Sequence, residues 1–98
     1  MYPPAEPMGT EVYARLPESL HLTEQASTWL AARHVKMHSF LEGPSFDRSG
    51  NLWCVDLAHG RILRVDPAGK FEVIVSYEGE PNGLKIHRDG RIFVADHL

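Results

Sequence analysis

An internal repeat narrows the fold of this chain more than any other feature. Glu42-Gly-Pro-Ser-Phe-Asp-Arg-Ser-Gly-Asn-Leu-Trp-Cys-Val-Asp56 lies without a gap over Asn82-Gly-Leu-Lys-Ile-His-Arg-Asp-Gly-Arg-Ile-Phe-Val-Ala-Asp96, an offset of 40 residues. Gly43/Gly83, Arg48/Arg88, Gly50/Gly90 and Asp56/Asp96 coincide, and Phe46/Ile86, Leu52/Ile92 and Trp53/Phe93 stay apolar. Turn chemistry at Ser49-Gly50, His59-Gly60, Pro67-Ala68-Gly69 and Asp89-Gly90 separates runs rich in β-formers. The runs predict strands at 43–47, 51–56, 61–66 and 70–76 in one antiparallel meander, with 83–87 and 91–96 opening a second sheet. Four strands per unit of about 40–45 residues is the signature of a propeller blade. The fold class read here is all-β: about one and a half blades, with blade one at 43–77 and the first half of blade two at 82–98. Apolar neighbours such as Ile62-Leu63 and Val73-Ile74-Val75 point to sheets buried on both faces.

The first 39 residues read differently. Pro3, Pro4, Pro7 and Pro17 mark an extended, irregular arm. Within it Glu11-Val-Tyr-Ala-Arg-Leu reads as a short strand, and 23–33 as a short helix with Thr23 as its N-cap. The organisation expected is an arm at 1–39, partly helical, followed by the start of a propeller at 40–98.

Ninety-eight residues hold too little chain for a closed propeller of about 4–8 blades. The chain therefore reads as a truncated product, a fragment, or a piece that needs complementary chains. Its open side is expected to expose apolar surface and an unpaired blade edge, a route to self-association. A net charge of −3 supplies no basic field for nucleic acid and no polybasic anchor for a membrane, so neither is expected as a partner. With no signal-peptide pattern and a lone cysteine, Cys54, the expected location is cytoplasmic.

Repeat equivalence singles out Glu42 and Asn82. Both stand just before the first strand of successive blades, where propeller symmetry places them in a ring at one mouth of the central channel. A carboxylate and an amide are the mixed oxygen donors that hard cations prefer. Pro81-Asn82-Gly83 and Glu42-Gly43-Pro44 are equally plain turn sequences, and spacing leaves the two readings level. His34 and His38 have the spacing of a zinc pair but no third ligand, and read as an exposed pair. His59 and His87 fall in turns, while His97 follows the last strand and has only its position to place it near the channel. Cys54 reads as a small core residue, Asp56 and Asp96 as organisers of the turns that follow them, and Arg48 and Arg88 as surface residues.

The run Phe40-Leu-Glu-Gly-Pro-Ser-Phe-Asp-Arg-Ser-Gly-Asn-Leu resembles the first inner strand of the gluconolactonase, senescence-marker-protein and luciferin-regenerating-enzyme family. Gly60-Arg-Ile-Leu-Arg-Val-Asp-Pro-Ala-Gly69 resembles its next hairpin, and Glu80-Pro-Asn-Gly-Leu-Lys-Ile-His-Arg-Asp-Gly-Arg-Ile-Phe-Val-Ala-Asp96 the start of its second blade. The likeness covers roughly residues 38–98. It implies a six-bladed propeller with a divalent metal at one mouth and hydrolysis of sugar lactones. It implies Glu42 as a metal ligand and Asn82 as a residue that contacts substrate or reaches the metal. Calcium is the first expectation for the ion, with zinc, magnesium or manganese as alternatives. The family's remaining ligands and its general base would lie beyond residue 98, so the chain alone is expected to be inactive. Two other classes stay open: a non-catalytic propeller that binds a partner, and an inactive remnant.

Overall fold

The computed structural model describes residues 1–23 and 27–98. Three hairpin turns share one pattern. Asp47 N–H donates to Asn51 O and Gly50 N–H to Asp47 O; Asp66, Lys70 and Gly69 repeat this, as do His87, Arg91 and Gly90. A turn closed by its own backbone bonds needs little help from the rest of the chain. It fixes which residues face one another across the strands on either side.

Four strands, β1 (Leu41–Phe46), β2 (Leu52–Asp56), β3 (Arg61–Val65) and β4 (Phe71–Ser76), form an antiparallel sheet in sequence order. Two more, β5 (Pro81–Ile86) and β6 (Ile92–Asp96), form a second antiparallel sheet. The strand positions follow the expected meander and the expected start of a second sheet to within two residues at each end.

Register sorts the side chains of the first sheet onto two faces. Leu52, Cys54 and Asp56 lie opposite Val65, Leu63 and Arg61 on one face, and Trp53 and Val55 lie opposite Arg64 and Ile62 on the other. Val55 and Leu63, from opposite faces, are both fully buried. The sheet centre is therefore covered on both sides, as its apolar doublets suggested. β5 covers the Val55 face, where Leu84 is buried with it. On the other face Tyr13 of the arm meets Phe46 edge-on at 5.7 Å, and Arg61 Nη1 donates to Leu20 O at 2.8 Å.

The arm departs from expectation in three places. Residues 11–16 form no strand, because a strand exists only where a neighbour supplies its ladder. A 3-10 turn at Glu18–Leu20 follows Pro17 instead. The helix, α1, spans Thr28–Ala32 and is capped by Ser27, not Thr23; part of the expected span, 24–26, lies outside the described residues. Ser27 Oγ accepts from Leu30 N–H at 3.2 Å and donates to Ala58 O at 2.5 Å, so one hydroxyl both starts the helix and ties it to the β2–β3 turn. His34, at φ 53°, stands beyond the end of α1. His34 and His38 therefore share no helix face.

Asp56 and Asp96 bond into the segments that follow them, to Arg61 across the β2–β3 turn and to Leu98 N–H, and each also reaches back along the chain. Asp56 Oδ1 accepts from Phe40 N–H at 2.9 Å, and its Oδ2 accepts from Arg61 Nε at 2.9 Å and Nη2 at 2.7 Å. Asp96 Oδ1 accepts from Glu80 N–H at 3.0 Å. Each aspartate ties the end of a second strand back to the segment that leads into the first strand of its own repeat. The backbone repeats the tie, with Leu57 N–H donating to Phe40 O and His97 N–H to Glu80 O, both at 2.9 Å.

Candidate functional site

Glu42 and Asn82 are the second residues of β1 and β5. The two strands lie side by side: Ser45 Oγ donates to Leu84 O at 3.1 Å, and Gly43 sits against the backbone of Gly83 and Leu84. The turns that follow them line one groove of about 240 Å³, through Asp47, Arg48 and Ser49 on one side and His87, Arg88 and Gly90 on the other. Contact at the middle and at the far ends makes the strands run in the same direction. Glu42 and Asn82 consequently stand at the same end of neighbouring strands.

Both residues sit at irregular register. Between Glu42 and Ser45 the pairing of β1 with β2 slips, and between Pro81 and Gly83 the pairing of β5 with β6 slips, leaving Asn82 without a partner on β6. Bulges of this kind bend the strand and re-aim the side chain beside it. At Gly43 the backbone is left-handed, with φ 59°, and an added Cβ would lie 2.7 Å from Leu84 N. Glycine is required there twice over, by conformation and by the closeness of β5. Glu42 is half-buried, and Asn82 is exposed.

The remaining candidates are placed as follows. His59 Nε2 lies 3.4 Å from Met37 O, and His87 Nδ1 lies 3.0 Å from Asp89 Oδ1. His38 stacks on His21 with ring centroids 3.6 Å apart. Arg48 and Arg88 are exposed, as expected. Cys54 is buried, and its thiol is pushed up to about 11 by that burial and then by the nearby Asp56 carboxylate. No group of three or more His, Cys, Asp or Glu side chains is placed to hold a metal among the described residues.

Two clusters went unread in the sequence. Glu80 Oε1 lies 3.4 Å from His97 Nδ1, at the same end of the second sheet as Asn82. Beside it Tyr77 O–H donates to Asp96 Oδ2 at 2.5 Å. This hydroxyl, with the backbone N–H groups of Glu80 and Leu98, holds the Asp96 carboxyl below its usual range. Tyr77 moves the other way, up to about 12, through burial and then the Asp96 carboxylate. The 40-residue repeat was the available signal for Asp96, since Asp56 takes the same position. Nothing in spacing marked Tyr77.

No helix among the described residues is long and apolar enough to cross a membrane. No family model matches the chain, and no solved structure matches it. Curated relatives do. The chain is 39% identical over 79 residues to Lactonase drp35 of Staphylococcus aureus (strain bovine RF122 / ET3-1), covering 79% of this chain and 24% of that protein. Against Lactonase drp35 of S. aureus (strain USA300) it is 39% identical over 80 residues, with the same coverage. Against Lactonase drp35 of Staphylococcus epidermidis (strain ATCC 35984 / DSM 28319 / BCRC 17069 / CCUG 31568 / BM 3577 / RP62A) it is 40% identical over 57 residues, covering 55% of this chain and 17% of that protein. The chain spans about a quarter of the length of the S. aureus relatives. Over the part that aligns, the chain is a homologue of proteins named Lactonase drp35, and the gluconolactonase-type resemblance of its Glu42-Gly-Pro and Pro81-Asn-Gly-Leu motifs is consistent with that similarity.

Proposed function

We propose that this chain is the N-terminal part of a metal-dependent lactonase that acts on sugar lactones, with residues 40–98 supplying about one and a half blades of a six-bladed propeller behind an arm at 1–39. One observation carries the reading: Glu42 and Asn82 stand at the same end of neighbouring, parallel-running strands, each at a bulge. The names of the relatives support the class of reaction.

The donors suit a hard cation in kind, since both offer oxygen. They fall short in number, because Ca²⁺ takes about six to eight oxygens. Further ligands and the general base would come from other repeat units. A divalent cation bound at this mouth would polarise the lactone carbonyl and lower the pKa of water. Within this segment the Glu42 carboxylate supplies negative charge toward the cation, and the Asn82 carboxamide orients the lactone by donating or accepting a hydrogen bond. Hydrolysis adds water across the ring ester C–O bond and releases a hydroxy acid.

The test is hydrolysis of an aldonolactone by a protein that carries this segment within a complete chain, before and after chelation. Glu42→Gln keeps the shape and removes the charge. It is expected to weaken metal binding by at least about ten- to a hundredfold, the range seen when even a group behind a metal ligand is disturbed. Asn82→Ala is expected to lower kcat/KM with a smaller effect on metal. Normal metal content and activity in Glu42→Gln would return Glu42 to the role of a loop residue.

A further inference from the structure

The chain holds two asparagines, Asn51 and Asn82, and the structure treats them oppositely. Asn51 is followed by Leu52, and its Nδ2 donates to Asp47 Oδ2 at 3.0 Å within the β1–β2 turn. A carboxamide held in this way is kept from turning onto its own backbone. Asn82 is followed by Gly83 and stands at the slip between Pro81 and Gly83, without a partner on β6. It is exposed, and among the described residues no hydrogen bond holds its carboxamide. Gly83 has room around it: an added Cβ would find nothing nearer than Ala95 Cβ at 3.8 Å, whereas the equivalent Gly43 is wedged against Leu84 N. The slip arises in the pairing of β5 with β6 and does not depend on what lies beside either strand.

We propose that Asn82 is a self-modification site, at which the chain converts its own carboxamide to a carboxylate. The Gly83 backbone nitrogen attacks Asn82 Cγ and gives up its proton. A C–N bond forms, the Cγ–Nδ2 bond breaks, and Nδ2 leaves as ammonia carrying that proton. The five-membered imide left behind is opened by water at either carbonyl. One opening gives aspartate; the other gives isoaspartate, whose backbone runs through an extra methylene. Glycine on the C-terminal side matters because the missing Cβ lets the nitrogen approach and turn through conformations closed to other residues. The attack is intramolecular, so its rate follows how often the nitrogen meets Cγ. A bulge frees Asn82 from the ladder that keeps an ordinary strand residue extended. The modification adds one negative charge at the end shared with Glu42. On the reading of that end as a cation mouth, it supplies a second carboxylate there; the reaction itself does not rest on that reading.

The test incubates the full 98-residue chain at pH 8, folded and in urea, and follows both asparagines by peptide mapping with mass spectrometry. In the folded chain Asn82 is expected to be lost at least about tenfold faster than Asn51. One ammonia should appear per modified chain, and fragmentation should show both aspartate and isoaspartate at the site. Asn82→Asp supplies the reference for the product with an unaltered backbone. Gly83→Ala, whose added methyl meets open space, should slow the loss at least about tenfold while the chain stays folded. An intact Asn82 overturns the proposal, and so does loss at Asn51 as fast as at Asn82. Loss confined to the chain in urea also overturns it, because the folded strand would then hold Asn82 away from Gly83 despite the bulge. Aspartate as the sole product, formed undiminished in Gly83→Ala, would mean direct hydrolysis with no imide and overturns it as well. Every readout is of covalent structure, so the result stands apart from whether the mouth binds a cation.

Discussion

Arg61 and Asp56 form an ion pair of 2.7 Å with 4% and 0% of their side chains exposed, and the same guanidinium reaches Leu20 O of the arm at 2.8 Å. One side chain therefore neutralises a charge inside the first sheet and fastens the arm over it.

Replacing Arg61 by Met leaves the Asp56 carboxylate buried without a counter-charge. Breaking one partner of such a pair costs about 3–5 kcal/mol, a large share of the roughly 5–15 kcal/mol that holds a domain folded. Urea unfolding of Arg61→Met should show that loss, and limited proteolysis should cut residues 1–39 faster than in the parent chain. An unchanged midpoint and cleavage pattern would mean that the pair contributes little and that the arm is held elsewhere.

Gly43 and Gly83 are repeat equivalents with unlike tolerances. Gly43→Ala meets both a left-handed backbone and the β5 main chain 2.7 Å away, while at Gly83 the nearest atom to an added Cβ is Ala95 Cβ at 3.8 Å. Gly43→Ala should cost at least about 2 kcal/mol by denaturant titration, and Gly83→Ala about 0.5 kcal/mol or less. Equal costs would argue against the close approach of β1 and β5 that aligns Glu42 with Asn82.

The Asp47 carboxyl is held down to about 2, chiefly by the Trp53 indole N–H and then by the Asn51 side chain. A depressed carboxyl contributes stability that is fully present above the unfolded value near 3.8 and lost as pH falls through about 2. The Trp53 indole N–H signal in NMR should titrate in that window, and Asp47→Asn should abolish the titration. A midpoint near 3.8 would show that the bonds do not form in solution.

Cys54 is buried with a thiol raised to about 11, so the reactive thiolate is scarce at neutral pH. Alkylation of the native chain at pH 8 should be slow and should speed up in urea in step with unfolding. Arg61→Met should bring the fast reaction to lower urea. Rapid alkylation of the folded chain would place Cys54 at an accessible surface.

Strand positions were legible because their determinants are local. Asp47 to Asn51, Asp66 to Lys70 and His87 to Arg91 each close a turn within five residues, and a turn so closed sets the register of the strands beside it. The repeat likewise marked Glu42 and Asn82 as equivalent before any contact was known. In the arm the same reasoning reached less far: a helix stands inside the expected 23–33, but at Thr28–Ala32 behind Ser27. Residues 11–16 pair with no strand, and α1 begins where Ser27 can reach Ala58, 31 residues away in sequence.

The sequence by itself determined the turns, the alternation of the strands and the 40-residue equivalence of Gly43 with Gly83 and Asp56 with Asp96. Tertiary structure decided which equivalents remain alike. Asp56 is buried against Arg61 because β3 and the arm close over it, while Asp96 is exposed, with no strand paired beyond β6 among the described residues. Tertiary structure also decided that Glu42 and Asn82 share an end, through the contact of Ser45 and Gly43 with Leu84. The physical reason is range. A turn's hydrogen bonds lie within a few residues, whereas the solvation of a carboxylate and the direction of a neighbouring strand depend on segments brought together only when the sheets pack.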